Sequence, residues 1–201
     1  GAVRAMVNLQ KDSTGRLYES FNMAAGQPAE PGSVFKTMTL TTLLEDGKVT
    51  LEKQIPTNHG IMQDMAHLVN QDQYIVNYEN RYHKNTISVI HGFQISSNYV
   101  FATLAVENYG KTGKTDKFLS NIYTYKLGEA FDFDLDGLRT PVIPNPSTRY
   151  WTNTDLASMA YGYSTQETPL HILTFYNAIA NKGRMMKPYL VESIEKDGKV
   201  I

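Results

Sequence analysis

A hydroxyl and an amine stand three residues apart, Ser33 and Lys36, in the stretch Glu30-Pro31-Gly32-Ser33-Val34-Phe35-Lys36. Pro31 and Gly32 break whatever precedes them. Ser33 then opens an apolar run that stops at Glu45-Asp46-Gly47. A breaker before and a glycine stop after predict a helix. Residues at this spacing share one helix face, and a hydroxyl beside an amine forms a nucleophile and its base. The first-turn N–H groups are unpaired and carry the positive end of the helix dipole. They suit an oxyanion and disfavour the ammonium form of Lys36. The competing reading is structural, because a serine before a helix is commonly only its N-cap. A second polar break, Ser96-Ser97-Asn98, separates two apolar segments and on its own also reads as a helix cap.

The rest of the composition narrows the function class. The chain has 201 residues, enough for one sizeable domain or two small ones, and a net charge of −1 from 19 basic and 20 acidic side chains. No global basic field points to nucleic acid, and the 13 tyrosines read as packing rather than a stacking platform. Cysteine is absent, which removes disulfides, thiolate metal sites and cysteine nucleophiles. His59, His67 and His83 lack metal-ligand spacing, so neither a metal nor a cofactor is expected. No apolar run is long enough for a membrane span.

The elements that must position these groups can be read in order. Residues 2–10 and 16–24 predict two antiparallel strands joined by the polar turn Lys11-Asp12-Ser13-Thr14-Gly15. Residues 48–55 alternate like a short strand, and 62–82 show no clean period. Helices are expected over 86–93, 99–109, 118–128 and 154–161, with Ile95-Ser96-Ser97-Asn98 as a break and an extended loop over 141–148. Thr168-Pro169 supplies an N-cap and a first helical position for a last helix. Residues 189–201 read as a strand, an Asp-Gly turn and the start of a second strand that the chain does not complete.

Taken together, Ser33-x-x-Lys36 followed by Ser96-Ser97-Asn98 resembles the transpeptidase domain of penicillin-binding proteins, most of all the class B, monofunctional type of cell division or elongation. Gly47 to Leu51, Trp151 to Leu156, Thr168-Pro169-Leu170, Ala178 to Gly183 and Lys187 to Val191 resemble other stretches of that family. The likeness covers nearly the whole chain, most weakly over 61–81. It departs at Tyr161-Gly162-Tyr163-Ser164, where the family tends to carry Gly-Gln-Gly.

The family's third box, Lys-Thr-Gly, lies on a core-facing strand. Lys111-Thr112-Gly113 has polar, turn-like flanks instead. It is read as a decoy, and the true box is expected beyond Ile201. The expected fold is therefore α+β of the β-lactamase/transpeptidase type: a mostly helical subdomain plus an incomplete antiparallel sheet lacking the strand with the third motif. Residues 1–201 would form one partial, C-terminally truncated domain, catalytically impaired by itself.

The resemblance implies a D,D-transpeptidase that cross-links peptidoglycan stem peptides through a serine acyl-enzyme. In it Ser33 is the nucleophile and Lys36 its base. Ser96 relays a proton at the leaving group, and Asn98 binds the substrate amide and holds Lys36. It also implies acylation by β-lactams, association with the cell-wall synthesis machinery and a place on the outer face of a bacterial cytoplasmic membrane. A penicillin-recognising sensor without turnover and a serine β-lactamase are the alternatives.

Overall fold

A computed structural model describes residues 1–65, 71–147 and 151–200. His67, Thr148 and Ile201, which carried expectations above, lie outside the described residues. The fold is α+β: helices with short antiparallel pairs. Two compact units are distinguished, one of residues 1–29, 125–142 and 166–201, the other of residues 30–124 and 143–165.

The first unit opens with a hairpin, β1 (Leu9–Lys11) and β2 (Leu17–Glu19), paired in the register Leu9↔Glu19 and Lys11↔Leu17. Asp12 Oδ1 accepts from the Thr14 and Arg16 N–H groups and so closes the turn. Both strands are shorter than the apolar content predicted, and after β2 Asn22 accepts from the Ala25 N–H and starts a one-turn helix, α1 (Met23–Gly26).

The second unit holds the long central helices. Gly32–Phe35 is a 3₁₀ turn that runs into α2 (Lys36–Glu45). The strand expected over 48–55 is confined to β3 (Gln54–Pro56). The aperiodic stretch contains α3 (Gln73–Tyr82), which Asp72 caps and whose Ile75 and Tyr78 are buried one turn apart. Residues 86–93 are not one helix. Ile87 pairs with Ile55 across β3 and β4 (Thr86–Ser88), and Ser88 then caps α4 (Val89–Gln94). β-Branched residues beside a partner strand override the local helical pattern.

Next come α5 (Asn98–Ala105), which continues through a π turn over Val106–Gly110, and α6 (Thr115–Thr124). The latter starts three residues earlier and ends four earlier than expected. α7 (Asn153–Ala160) opens on a capping box between Thr152 and Asp155. The core is formed where α5 packs on α2, α4 and α7, with Phe35, Met38, Leu43, Phe101, Leu104 and Leu156 buried. Each such side chain contributes about 1.5–3 kcal/mol.

The first unit is completed by α8 (Pro169–Ala180), capped by Thr168, and by the pair β5 (Glu195–Lys196) and β6 (Lys199–Val200). The antiparallel strands thus form three separate two-stranded pairs among the described residues, beside isolated bridges such as Ala29↔Glu167.

Candidate active site

The site lies wholly within the second unit. Ser33 is not an N-cap: it is the second residue of the 3₁₀ turn, and Pro31 precedes that turn. In a 3₁₀ turn residues three apart eclipse one another, which brings Lys36 directly against Ser33. The Lys36 Nζ donates to Ser33 Oγ at 2.9 Å, to Ser96 Oγ at 3.0 Å and to the Ser96 carbonyl at 2.7 Å. Three acceptors match the three protons of an ammonium. Ser33 is exposed, Ser96 half-buried, and Lys36 only 1% exposed. Burial pulls the Lys36 pKa down to about 8, against the opposing pull of the Asp72 carboxylate.

The corner at 96–98 has a specific local cause. Ile95 ends α4, the Ser96 N–H donates to the Phe93 carbonyl at 3.0 Å and the Ser97 N–H to the Gly92 carbonyl at 2.9 Å. This is the Schellman pattern, with Ser96 at the left-handed position that glycine usually takes (φ 56). Ser97 at once caps α5, its Oγ accepting from the Val100 N–H at 3.1 Å. The cap expected of this motif is therefore real, but it belongs to Ser97, and it leaves Ser96 free to face Lys36. Asn98 is the first residue of α5 and half-buried, and no hydrogen bond joins it to Lys36. Lys111-Thr112-Gly113 lies in the turn after the π segment, with Lys111 on Glu107 at 2.6 Å and the Thr112 hydroxyl donating to the Asn108 carbonyl.

A left-handed serine costs roughly 1 kcal/mol relative to glycine. Ser96→Gly is expected to be more stable than Ser96→Ala by about that amount in urea denaturation, while both lose the Oγ that Lys36 touches. Equal stabilities would show that the corner carries no strain.

Three groups have roles that the sequence did not announce. Asp72 is 8% exposed; its Oδ1 accepts from the Tyr74 N–H at 3.0 Å, and its Oδ2 from Ser97 Oγ at 2.7 Å and the Tyr99 N–H at 2.9 Å. Its signal was an N-cap residue ahead of apolar Ile75 and Tyr78, diluted by polar neighbours. Gly162 and Glu30 clamp the turn that carries Ser33. The Gly32 N–H donates to the Gly162 carbonyl at 2.9 Å, and Glu30 Oε1 accepts from the Ser164 N–H at 2.9 Å. Ser164 is left-handed (φ 59), a conformation that glycine adopts more readily. Within α2, Thr39 Oγ1 donates to the Ala160 carbonyl at 2.9 Å.

Among the described residues no group of three or more histidine and carboxylate side chains is placed to hold a metal. No helix there is long and apolar enough to cross a membrane.

Comparison with known proteins decides the family. The model of the penicillin binding protein transpeptidase domain matches residues 1–200. The chain belongs to the penicillin-binding protein transpeptidase family. The class B assignment implied by its motifs agrees with its relatives. Penicillin-binding protein 2B of Streptococcus pneumoniae is 25% identical over 210 residues, covering 96% of this chain and 29% of that protein. The peptidoglycan D,D-transpeptidase FtsI of Buchnera aphidicola is 26% identical over 196 residues, covering 94% of this chain and 31% of that protein. The chain thus spans about three-tenths of these relatives' length. Among solved structures, penicillin binding protein 3 of Mycobacterium tuberculosis complexed with aztreonam shares the fold at a TM-score of 0.69 and 22% identity, over 90% of this chain and 37% of that one. A peptidoglycan glycosyltransferase from Burkholderia ambifaria gives a TM-score of 0.68 and 21% identity, over 92% and 54%.

Proposed function

We propose that this chain supplies the nucleophile, base and proton relay of a serine D,D-transpeptidase acting on peptidoglycan stem peptides that end in D-Ala-D-Ala. The observation that carries the reading is one buried amine within hydrogen-bond distance of two hydroxyls, Ser33 and Ser96. The Buchnera relative's name states the same activity. Residues 1–201 are taken as one portion of the transpeptidase domain.

With Lys36 neutral, its lone pair faces the Ser33 hydroxyl. Ser33 Oγ adds to the carbonyl of the penultimate D-alanine while its proton passes to Lys36. The Ser33 N–H lies in the first turn, where no intrahelical acceptor exists, and it can donate to the oxyanion. Collapse of the tetrahedral species breaks the peptide bond. The leaving D-alanine nitrogen takes a proton from Lys36 through the Ser96 hydroxyl, which leaves an ester on Ser33. An amine from a second stem peptide then attacks this ester, forms the cross-link and returns the proton to Ser33. Asn98, at the start of α5, is assigned to the substrate's backbone amide. A β-lactam enters the same path when Ser33 opens its ring, and its amine stays tethered. Solved relatives complexed with ampicillin and aztreonam support β-lactams as ligands of this fold. We place the protein on the outer face of the cytoplasmic membrane, among the cell-wall synthesis enzymes.

The test is labelling of the full-length protein with a fluorescent penicillin, beside Ser33→Ala and across pH. Labelling should be lost in Ser33→Ala. In the wild type its rate should rise with pH and level off above about 8, because Lys36 is a base only after it loses its proton. No labelling of the intact protein would sink the reading. Rapid release of hydrolysed drug would make the protein a β-lactamase, and stable labelling without peptide cross-linking would make it a sensor.

A further inference from the structure

Lys36 is surrounded by two serines, neither of them charged. Asp72 is a charged side chain whose field reaches it. Asp72 sits on neither catalytic motif. It ends the segment before α3, and its carboxylate is shared between two helix starts: Oδ1 holds the Tyr74 N–H of α3, and Oδ2 holds both Ser97 Oγ and the Tyr99 N–H of α5. Its own N–H is fixed on the Gly60 carbonyl at 2.9 Å. Gly60 admits no side chain there, since a Cβ would come within 2.8 Å of the Asp72 nitrogen. Three donors on one carboxylate, two of them backbone N–H groups at helix starts, hold it in a single orientation. The Ser97 hydroxyl joins the two, donating to Asp72 and accepting from the Val100 N–H.

We propose that Asp72 is a positioning residue of this site: it locks the Ser96-Ser97-Asn98 corner through Ser97 and Tyr99, and places its carboxylate one hydrogen bond from the residue next to Ser96, on which Lys36 rests. One carboxylate thereby couples the shape of the corner to the charge of the base. Pinning Ser97 and Tyr99 fixes the backbone on either side of Asn98 and, through Ser97, the carbonyl and hydroxyl of Ser96 that Lys36 rests on. The negative charge favours the ammonium and so opposes the burial that drives the proton off.

The assignment of this role rests on the transpeptidase reading, but its first readout needs no substrate. In the full-length protein with labelled lysines, the Lys36 side-chain NMR signal, assigned by its loss in Lys36→Arg, is titrated. In Asp72→Asn the midpoint should fall below the wild-type value, because a favourable charge is gone. In Ser97→Ala, which removes one arm of the contact and leaves the carboxylate, the midpoint should stay near wild type. The second readout is the rate of penicillin acylation against pH. Ser97→Ala should lower the plateau several-fold without moving the limb. Asp72→Asn should lower the plateau and also move the limb to lower pH. Asp72→Ser, which keeps a cap for α3 and drops the charge, replaces Asp72→Asn where that variant does not fold. A Lys36 midpoint unmoved by loss of the Asp72 charge would overturn the proposal, as would plateau rates unchanged in all variants. If the wild type is not labelled at all, the transpeptidase reading fails, and the titration still decides whether Asp72 governs Lys36.

Discussion

Gly162→Ala is expected to abolish measurable acylation of Ser33, by about 100-fold or more. A Cβ at Gly162 would lie 1.9 Å from the Gly32 carbonyl oxygen, 2.5 Å from its carbon and 2.8 Å from its Cα. All three are backbone atoms, so no rotamer change relieves the clash. Gly162 also has φ +93, where a side chain is strained in open space. The peptide that must move is the one between Gly32 and Ser33, and the peptide before it is bonded to the Gly162 carbonyl through the Gly32 N–H. Displacement of a reacting group by about 1 Å costs on the order of 100-fold in rate. Gly15→Ala is the control, because Gly15 has a similar positive φ of +84 but a Cβ there would meet nothing within 4 Å. That variant should lose only backbone stability, about 1–2 kcal/mol, and should acylate normally. Penicillin labelling and urea denaturation of both variants separate the two effects. Normal labelling of Gly162→Ala would show that the turn is not held by this approach.

The second large effect is on stability. Glu167 is 1% exposed and neither carboxyl oxygen has a hydrogen-bond partner among the described residues, although its backbone pairs with Ala29. Burial raises its pKa from 4.5 to about 8. The folded state therefore binds a proton that the unfolded chain releases above about pH 4.5. Stability from this group is complete below that pH and is lost as pH rises towards 8, by up to roughly 5 kcal/mol. His171 acts in the opposite sense. Burial lowers its pKa, with its ring held between the Thr168 hydroxyl and the Glu129 carbonyl, so its contribution is lost as pH falls. Lys36 stays protonated over most of this window and adds little slope. The difference between wild type and Glu167→Gln isolates Glu167: the gap in unfolding free energy should widen in favour of the variant from pH 5 to pH 8. Glu167→Met should be more stable than wild type at pH 8. A pH-independent gap would refute the buried acid.

What the sequence made legible was set by how local each constraint is. Ser33 with Lys36, and Ser96 with Asn98, are short-range patterns, and their helices follow from nearby breakers and apolar spacing. Thr168-Pro169 likewise announced α8 through capping chemistry alone. Asp72 acts on residues 25 and 27 positions away, and Gly162 meets Gly32 from the far end of the second unit's sequence. Nothing beside either residue in the chain marks those encounters. Glu167 reads as an ordinary surface acid, because the burial of one side chain depends on what other segments cover it. The misread stretch at 86–93 has the same origin: Ile55 supplies the partner that turns Thr86–Ser88 into a strand.

The join between α4 and α5 has no slack. Ser96 closes one helix and Ser97 opens the next, so every residue of the corner already serves a terminus. A one-residue insertion or deletion there would rotate α5 by about 100° about its axis relative to α4 and would carry Asn98 round with it.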